Sequence, residues 1–249
     1  MKHGYILFHQ GYTDIINCIS LIHYYSEIYD FLLVIMRPEM KDFTYFFCSS
    51  LKNVDINYNK DAHNGTFNFE NMYTKNVDLL LHGFWDFQRK DKYKDKFKFN
   101  YNQNEKDFVK LFYTSYEIPY ETRFNHFHFK RNLELENNFY KQYNQDSEEY
   151  ILVHEDIERN ILCDYPKDKK IIQLDKISNL FFDTIKLIEN AKEIYCIDSV
   201  WSNFIYLLDV KYKVLRKKNI PIYITCNRGY SFMYENPHLV GWNLLNTPI

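Results

Sequence analysis

The sequence predicts an α/β protein built from two consecutive units, each a parallel sheet whose strands are joined by helices. Three observations predict it. Short apolar runs alternate with segments of helical period, the pattern of parallel strands with right-handed crossovers. A polar run, Asn144-Gln145-Asp146-Ser147-Glu148-Glu149, interrupts the alternation, which then starts afresh. Glycine and proline number only 6 each in 249 residues, which argues against a many-turned β sandwich and for long helices joined by polar loops. The expected domains are 1–145 and 146–249.

The elements follow in order. Tyr5 to Phe8 is a short apolar strand ending at His9-Gln10-Gly11. The next segment places Ile15, Ile16, Ile19, Ile22 and His23 on one helix face, with Thr13 or Asp14 as cap. Phe31 to Ile35 is a strand, and Pro38 opens a helix to about Leu51. Val54 to Asn57 and Val77 to His82 are further strands. Gln88 to Gln103 is crowded with Lys, Asp and Asn of alternating charge and reads as a solvated loop or helix face. Glu105 to Tyr116 and Asn132 to Tyr143 are helices. Beyond the polar run, Tyr150 to Val153, Ile171 to Gln173, Glu193 to Ile197 and Pro221 to Thr225 are strands. Ser178 to Asn190 is a helix, and Trp201, Phe204, Ile205 and Leu208 share one face of another.

Composition narrows the function. Lys+Arg 31 against Asp+Glu 33 gives a net charge of −2, with no global bias toward nucleic acid or anionic membrane. The five cysteines form no CxxC pair, and Cys18 and Cys196 fall on buried patterns, which points to a reducing, cytoplasmic setting. The start, MKHGYILFHQG, reads as neither a signal peptide nor a membrane span, and no stretch reaches membrane length. There is no HExxH or compact zinc spacing, no GxSxG elbow and no basic, aromatic-interleaved RNA motif.

Four strand ends carry polar residues that a plain core does not require. His9-Gln10-Gly11-Tyr12-Thr13-Asp14 follows the first strand; its glycine permits close backbone approach, although a bare turn needs no function. His82-Gly83-Phe84-Trp85-Asp86 suits a sugar-facing surface, whereas the histidine alone is as readily structural. His154-Glu155-Asp156-Ile157-Glu158-Arg159 puts an imidazole, three carboxylates and a guanidinium within six residues. Its charges can equally pair with one another. Asp198-Ser199 joins a buried strand to a helix, at the sheet edge where α/β proteins bind ligands and where helix amides can seat a phosphate. Both residues are also ordinary N-caps.

Taken with IPYETRF at 118–124, NAKEIYCIDSVWSNFIYLL at 190–208 and the late Arg228 and Trp242, these segments resemble a glycosyltransferase with two Rossmann-like domains, the GT-B architecture. The resemblance is to small glycosyltransferases of large DNA viruses, phages and bacteria, and it spans most of the chain. It implies parallel sheets facing a central cleft, a nucleotide-sugar donor held mainly by the second half, a glycan or glycoprotein acceptor, and no bound metal. The implied donor set is Gly11, His154, Asp156, Arg159, Asp198, Ser199, Asn203 and Arg228. The acceptor or sugar set is His82, Trp85, Asp86 and Arg123. Arg159 ranks first for the diphosphate, with Arg123 and Arg228 behind it. For an inverting reaction Asp14 is the first candidate base and His9 the second. At 249 residues the chain is short for two full domains, so a strand or helix is expected to be missing from one. The alternatives are a non-catalytic carbohydrate- or nucleotide-binding protein of the same fold, or another phosphate-handling enzyme such as a sugar-nucleotide epimerase. The absence of a dinucleotide fingerprint counts against the epimerase.

Overall fold

In a computed structural model of the protein the described residues are 1–8, 11–63, 77–82, 107–177, 181–226 and 242–246. The chain divides into two compact units, Met1–Lys130 and Arg131–Ile249.

The first unit runs β1 (His3–Phe8), α1 (Tyr12–Ile28), β2 (Phe31–Met36), a 3-10 turn at Pro38–Met40 leading into α2 (Lys41–Cys48), β3 (Val54–Tyr58), a 3-10 turn at Lys60–His63, and β4 (Val77–His82). Beyond β4 the described residues form the short helices α3 (Phe108–Thr114) and α4 (Thr122–Asn125). The strands lie in the order β3-β2-β1-β4, all parallel. Ile6, Leu7 and Phe8 are all fully buried, so β1 is covered on both faces, as its unbroken apolar run requires. Helix α1 is buried on most sides; Ile15, Ile16, Ile19, Leu21 and Ile22 pack inward together with Asn17, Ser20 and His23. Gly4 is needed where it stands, because a Cβ there would meet the Tyr29 ring at 2.9 Å.

The second unit runs α5 (Leu133–Tyr143), β5 (Tyr150–His154), β6 (Lys170–Gln173), α6 (Leu174–Ile177), a 3-10 turn at Phe181–Thr184, α7 (Ile185–Asn190), β7 (Glu193–Ile197), α8 (Val200–Tyr212), α9 (Val214–Lys218), β8 (Ile222–Cys226) and β9 (Trp242–Asn246). Its sheet order is β6-β5-β7-β8-β9, again all parallel. Among the described residues, the second unit has no crossover helix between β5 and β6. Residues 155–169 form a turn closed by an Asp156–Ile161 bridge and then an extended segment. Ile161, Cys163 and Tyr165 of that segment cover Ile151, Val153, Tyr195 and Ile197 in place of a helix.

The expected boundary at 145 needs correcting. The break falls after Lys130, and α5 belongs to the second unit. Arg131 forms ion pairs with Glu136 and with Glu189 on α7, and Lys186 donates to Asn137. The polar run at 144–149 is tied in as well. Asn144 donates to the Glu148 carbonyl at 3.2 Å and accepts from Lys170 Nζ at 3.0 Å. The single helix expected from Pro38 to Leu51 is instead a 3-10 turn followed by α2, ending at Cys48. Among the described residues no helix is long and apolar enough to cross a membrane.

Candidate functional site

In an open parallel sheet the ligand crevice lies beyond the carboxyl ends of the two strands where the winding reverses. In the second unit those strands are β5 and β7. His154 ends β5, directly opposite Cys196 on β7, and Asp198-Ser199 follow β7. Nδ1 of His154 lies 3.1 Å from Ser199 Oγ, so the two strand ends are joined across the crevice. Ser199 is extended and caps α8. Its Oγ accepts from the Trp201 and Ser202 amides, while Ser202 Oγ accepts from the Ser199 amide at 2.9 Å, a complete capping box. Asn203, fully buried one turn in, donates from Nδ2 to the Ser199 carbonyl at 2.7 Å. It braces the turn. The Asp198 amide donates to the Thr225 carbonyl at 3.2 Å, which anchors the junction to β8.

This corrects one expectation from the sequence. The α8 amides of Trp201 and Ser202 are engaged by Ser199, so the polar groups at this edge are side chains rather than bare helix amides. Burial pulls the His154 pKa down to about 4 against the opposing pull of Asp175 and Asp156, which leaves the ring neutral at pH 7. The Trp201 ring lies 6.3 Å from it and is itself packed on Phe181 at 4.4 Å.

The loop behind β5 separates into two roles. Glu155 points inward, where it accepts from the Cys163 amide at 2.8 Å and from the Tyr165 hydroxyl at 3.5 Å. Asp156 accepts from the Arg159 amide at 2.9 Å and pairs with its guanidinium, which holds the Asp156 carboxyl below the usual carboxylate range. With its side chain 60% exposed, Arg159 sits in an exposed pair worth little to stability.

In the first unit the winding reverses between β1 and β4. Gly11 caps α1 with no side-chain cap bond, and among the described residues a Cβ there meets nothing within 4 Å. Asp14 lies half-buried in the first turn of α1. Two other expected site residues are fully buried in the core. His82 is fully buried; its Nε2 lies 3.2 Å from the Tyr25 hydroxyl and its Nδ1 3.0 Å from the Phe112 carbonyl, and burial lowers its pKa to about 3. Both ring nitrogens therefore have partners inside the core, where the sequence expected a sugar-facing residue. Arg123 is also fully buried. It donates to Asn17 Oδ1 and to the Tyr120 hydroxyl at 2.7 Å, and its carbonyl accepts from Ser20 at 2.6 Å. It clamps α4 to α1, a structural role where the sequence expected a diphosphate ligand. His9, Trp85, Asp86 and Arg228 lie outside the described residues.

Sequence reasoning missed Asp175, which acts on His154 from α6, and Trp201 as its aromatic neighbour. The strand-end signal that picked out His154 also applies at Asp175, two residues beyond β6. A groove of about 450 Å³ runs along β6, lined by Tyr143, Lys170, Ile172, Gln173 and Lys176, and holds none of the expected site residues. Among the described residues no group of three His, Cys, Asp or Glu could hold a metal ion.

No protein-family model and no curated protein matches the chain. Among solved structures, the glycosyl transferase family 9 protein from Veillonella parvula DSM 2008 superposes with a TM-score of 0.58 at 8% identity, over 100% of this chain and 88% of that one. The E. coli heptosyltransferase WaaC with ADP gives a TM-score of 0.46 at 9% identity, over 99% and 93%. The first likeness establishes the fold: two parallel α/β sheets in one chain, the GT-B architecture, over the whole length of this protein.

Proposed function

We propose that the protein is a glycosyltransferase that moves a sugar from a nucleotide-sugar donor to a glycan or glycoprotein acceptor, without a bound metal. The observation that carries this reading is that each sheet ends, at its own switch point, in polar groups suited to one half of the reaction. On the second unit, His154 and Ser199 meet at the ends of β5 and β7, with the Asp156–Arg159 pair on the adjoining loop. These groups hold the donor diphosphate. Arg159 exchanges Asp156 for two oxygens of the diphosphate, a bidentate partner of higher total charge, and Arg228 assists. On the first unit, the open turn at Gly11 leads into Asp14, which takes the proton from the acceptor hydroxyl as general base, with His9 the second candidate. Trp85 and Asp86 contact acceptor or sugar. The leaving diphosphate is neutralised by side chains rather than a cation. The described cysteines Cys18, Cys48, Cys163 and Cys196 are all buried free thiols, which supports work in a reducing compartment.

The second reading, a binding protein that does not turn its ligand over, is favoured by one observation: Arg159 is already paired with Asp156. The deciding experiment is a thermal-shift screen against UDP, GDP, ADP and CMP and their sugars, with and without EDTA. A ligand at 100 times its dissociation constant stabilises by about 2.7 kcal/mol. A shift with one nucleotide, unchanged by EDTA and reduced in Arg159→Ala, is expected. A shift that EDTA removes overturns metal independence, and no shift with any nucleotide favours a glycan-binding protein. Nucleotide release from the bound donor then separates enzyme from binder.

A further inference from the structure

The Ser199 hydroxyl has one proton to donate and two lone pairs to offer. The amides of Trp201 and Ser202 both donate to Oγ and occupy those lone pairs. Among the described residues, the acceptor within reach of its proton is Nδ1 of His154, at 3.1 Å. A ring nitrogen that accepts carries no hydrogen, so the proton of the neutral imidazole lies on Nε2. That nitrogen has no partner among the described residues. The charged groups facing the ring are Asp175 from α6 and Asp156 and Arg159 from the loop behind β5.

A serine and a histidine in contact raise the question of a hydrolytic dyad, and the same geometry rejects it. A nucleophile needs a free lone pair, and Oγ has none. The ring is also too weak a base at neutral pH, because burial holds it near 4. The contact therefore orients the imidazole.

We propose that Ser199 is a positioning residue that fixes His154 as the Nε2–H tautomer, so that the ring offers an uncharged N–H donor to an oxygen of the nucleotide diphosphate. This rests on the donor assignment above. An uncharged donor orients the phosphate without adding the attraction of an imidazolium, which would hold the diphosphate product and slow its release.

The test is long-range 1H–15N NMR of the intact chain, labelled at histidine nitrogens, with His154 assigned by the signals lost in His154→Gln. At pH 7 the expected pattern is a bare Nδ1 and a protonated Nε2. Ser199→Ala should shift the ring toward the Nδ1–H form, and Ser199→Thr, which keeps the hydroxyl, should restore it. A serine that serves α8 only as a cap would leave the tautomer unchanged in Ser199→Ala, and that result overturns the proposal. So does an Nδ1–H or doubly protonated ring in the unmodified protein. UDP-, GDP- and ADP-sugars are then titrated by calorimetry and by the same spectrum. The nucleotide sugar that binds should move the Nε2 resonance. Its affinity should fall about five- to tenfold in Ser199→Ala and stay within about twofold in Ser199→Thr. Calorimetric binding with an unmoved Nε2 overturns the inference and leaves the proposed function standing. No binding by any of the sugars removes the proposed function and the ligand half of the inference together, while the tautomer still decides the role of Ser199.

Discussion

The two strand-to-helix junctions at the two switch points, β1 to α1 and β7 to α8, have the same outline and opposite finishes. At α8 the first amides are bonded by Ser199 and its reciprocal partner Ser202, and the cap itself is tied to a histidine on the neighbouring strand. At α1 the cap is Gly11, without a side-chain bond, and among the described residues a Cβ there meets nothing within 4 Å. A helix start is a cluster of N–H donors that must be satisfied by something. The closed junction satisfies two of them internally and ties its cap to His154. The other has no cap side chain to do so. Under the proposed function the closed junction holds the donor in a fixed pose, and the open one admits the acceptor beside Asp14.

The largest expected effect tests the open junction. Asp14→Asn removes the proposed base while preserving its shape, so nucleotide release should fall by about 10²- to 10⁴-fold with the melting temperature little changed. The comparison breaks if the variant turns over at the original rate, because the chemistry would then sit elsewhere. Circular dichroism alongside the assay confirms that the fold is intact.

Acid separates the units by stability. His23 and His82 of the first unit are held near 4 and near 3, both chiefly by burial. His23 faces His128, His126 and Glu27, and its Nε2 lies 3.1 Å from the Phe47 carbonyl. A histidine with a folded pKa below its unfolded value near 6.5 takes up a proton more readily when unfolded. Its contribution is therefore complete above pH 6.5 and is lost as pH falls from there toward the folded pKa. By pH 5 each of these two rings costs about 2 kcal/mol, and His154, held near 4 in the second unit, costs about the same. Among the described histidines held below their ordinary pKa, the first unit therefore carries two such losses against one. Amide exchange at pH 7 and pH 5 should show the first unit opening before the second. Equal loss in both, or none, would sink this reading.

Much of the fold was legible in the sequence, because strands covered on both faces must be apolar throughout. Glu193–Ile197 stood out for that reason. The domain boundary was not legible. What attaches α5 to the second unit is an ion-pair cluster that joins Arg131 to Glu189, 58 residues away. The His154–Ser199 pairing of the candidate site follows from the same physics. His154 and Ser199 share a strand edge, and the topology brings them together. His82 and Arg123 carry the same polar signature in the sequence, yet their partners are Tyr25 and Asn17, 57 and 106 residues distant. A polar residue near a strand end thus reads alike whether it serves a ligand or a core hydrogen bond. Only the partner decides, and local pattern does not contain it.

A smaller effect tests the closed junction. Ser199→Ala removes the acceptor for the Trp201 and Ser202 amides, and loss of such a cap costs about 1 kcal/mol. Thermal or urea unfolding should register that loss, with Ser199→Thr close to the original protein. An unchanged midpoint would mean that α8 is held by its buried face alone and that the junction is closed in geometry but not in energy.

The smallest expected effect on stability is at Gly11, and its smallness is the point. Its φ of −79° and ψ of −178° are open to any residue, and a methyl group there touches nothing described. Alanine gains about 0.4 to 1 kcal/mol by restricting the unfolded chain. It loses a few tenths or more as a poorer N-cap than glycine, so the net change should lie within about 0.5 kcal/mol. Neither backbone strain nor packing among the described residues therefore requires glycine at this position. If the space above α1 receives a substrate, Gly11→Ala should leave the melting curve unchanged and still lower turnover by about tenfold or more, because a methyl displaces the reacting groups. Unchanged melting with unchanged turnover would make the junction a bare turn, and the contrast with α8 would then be one of capping alone.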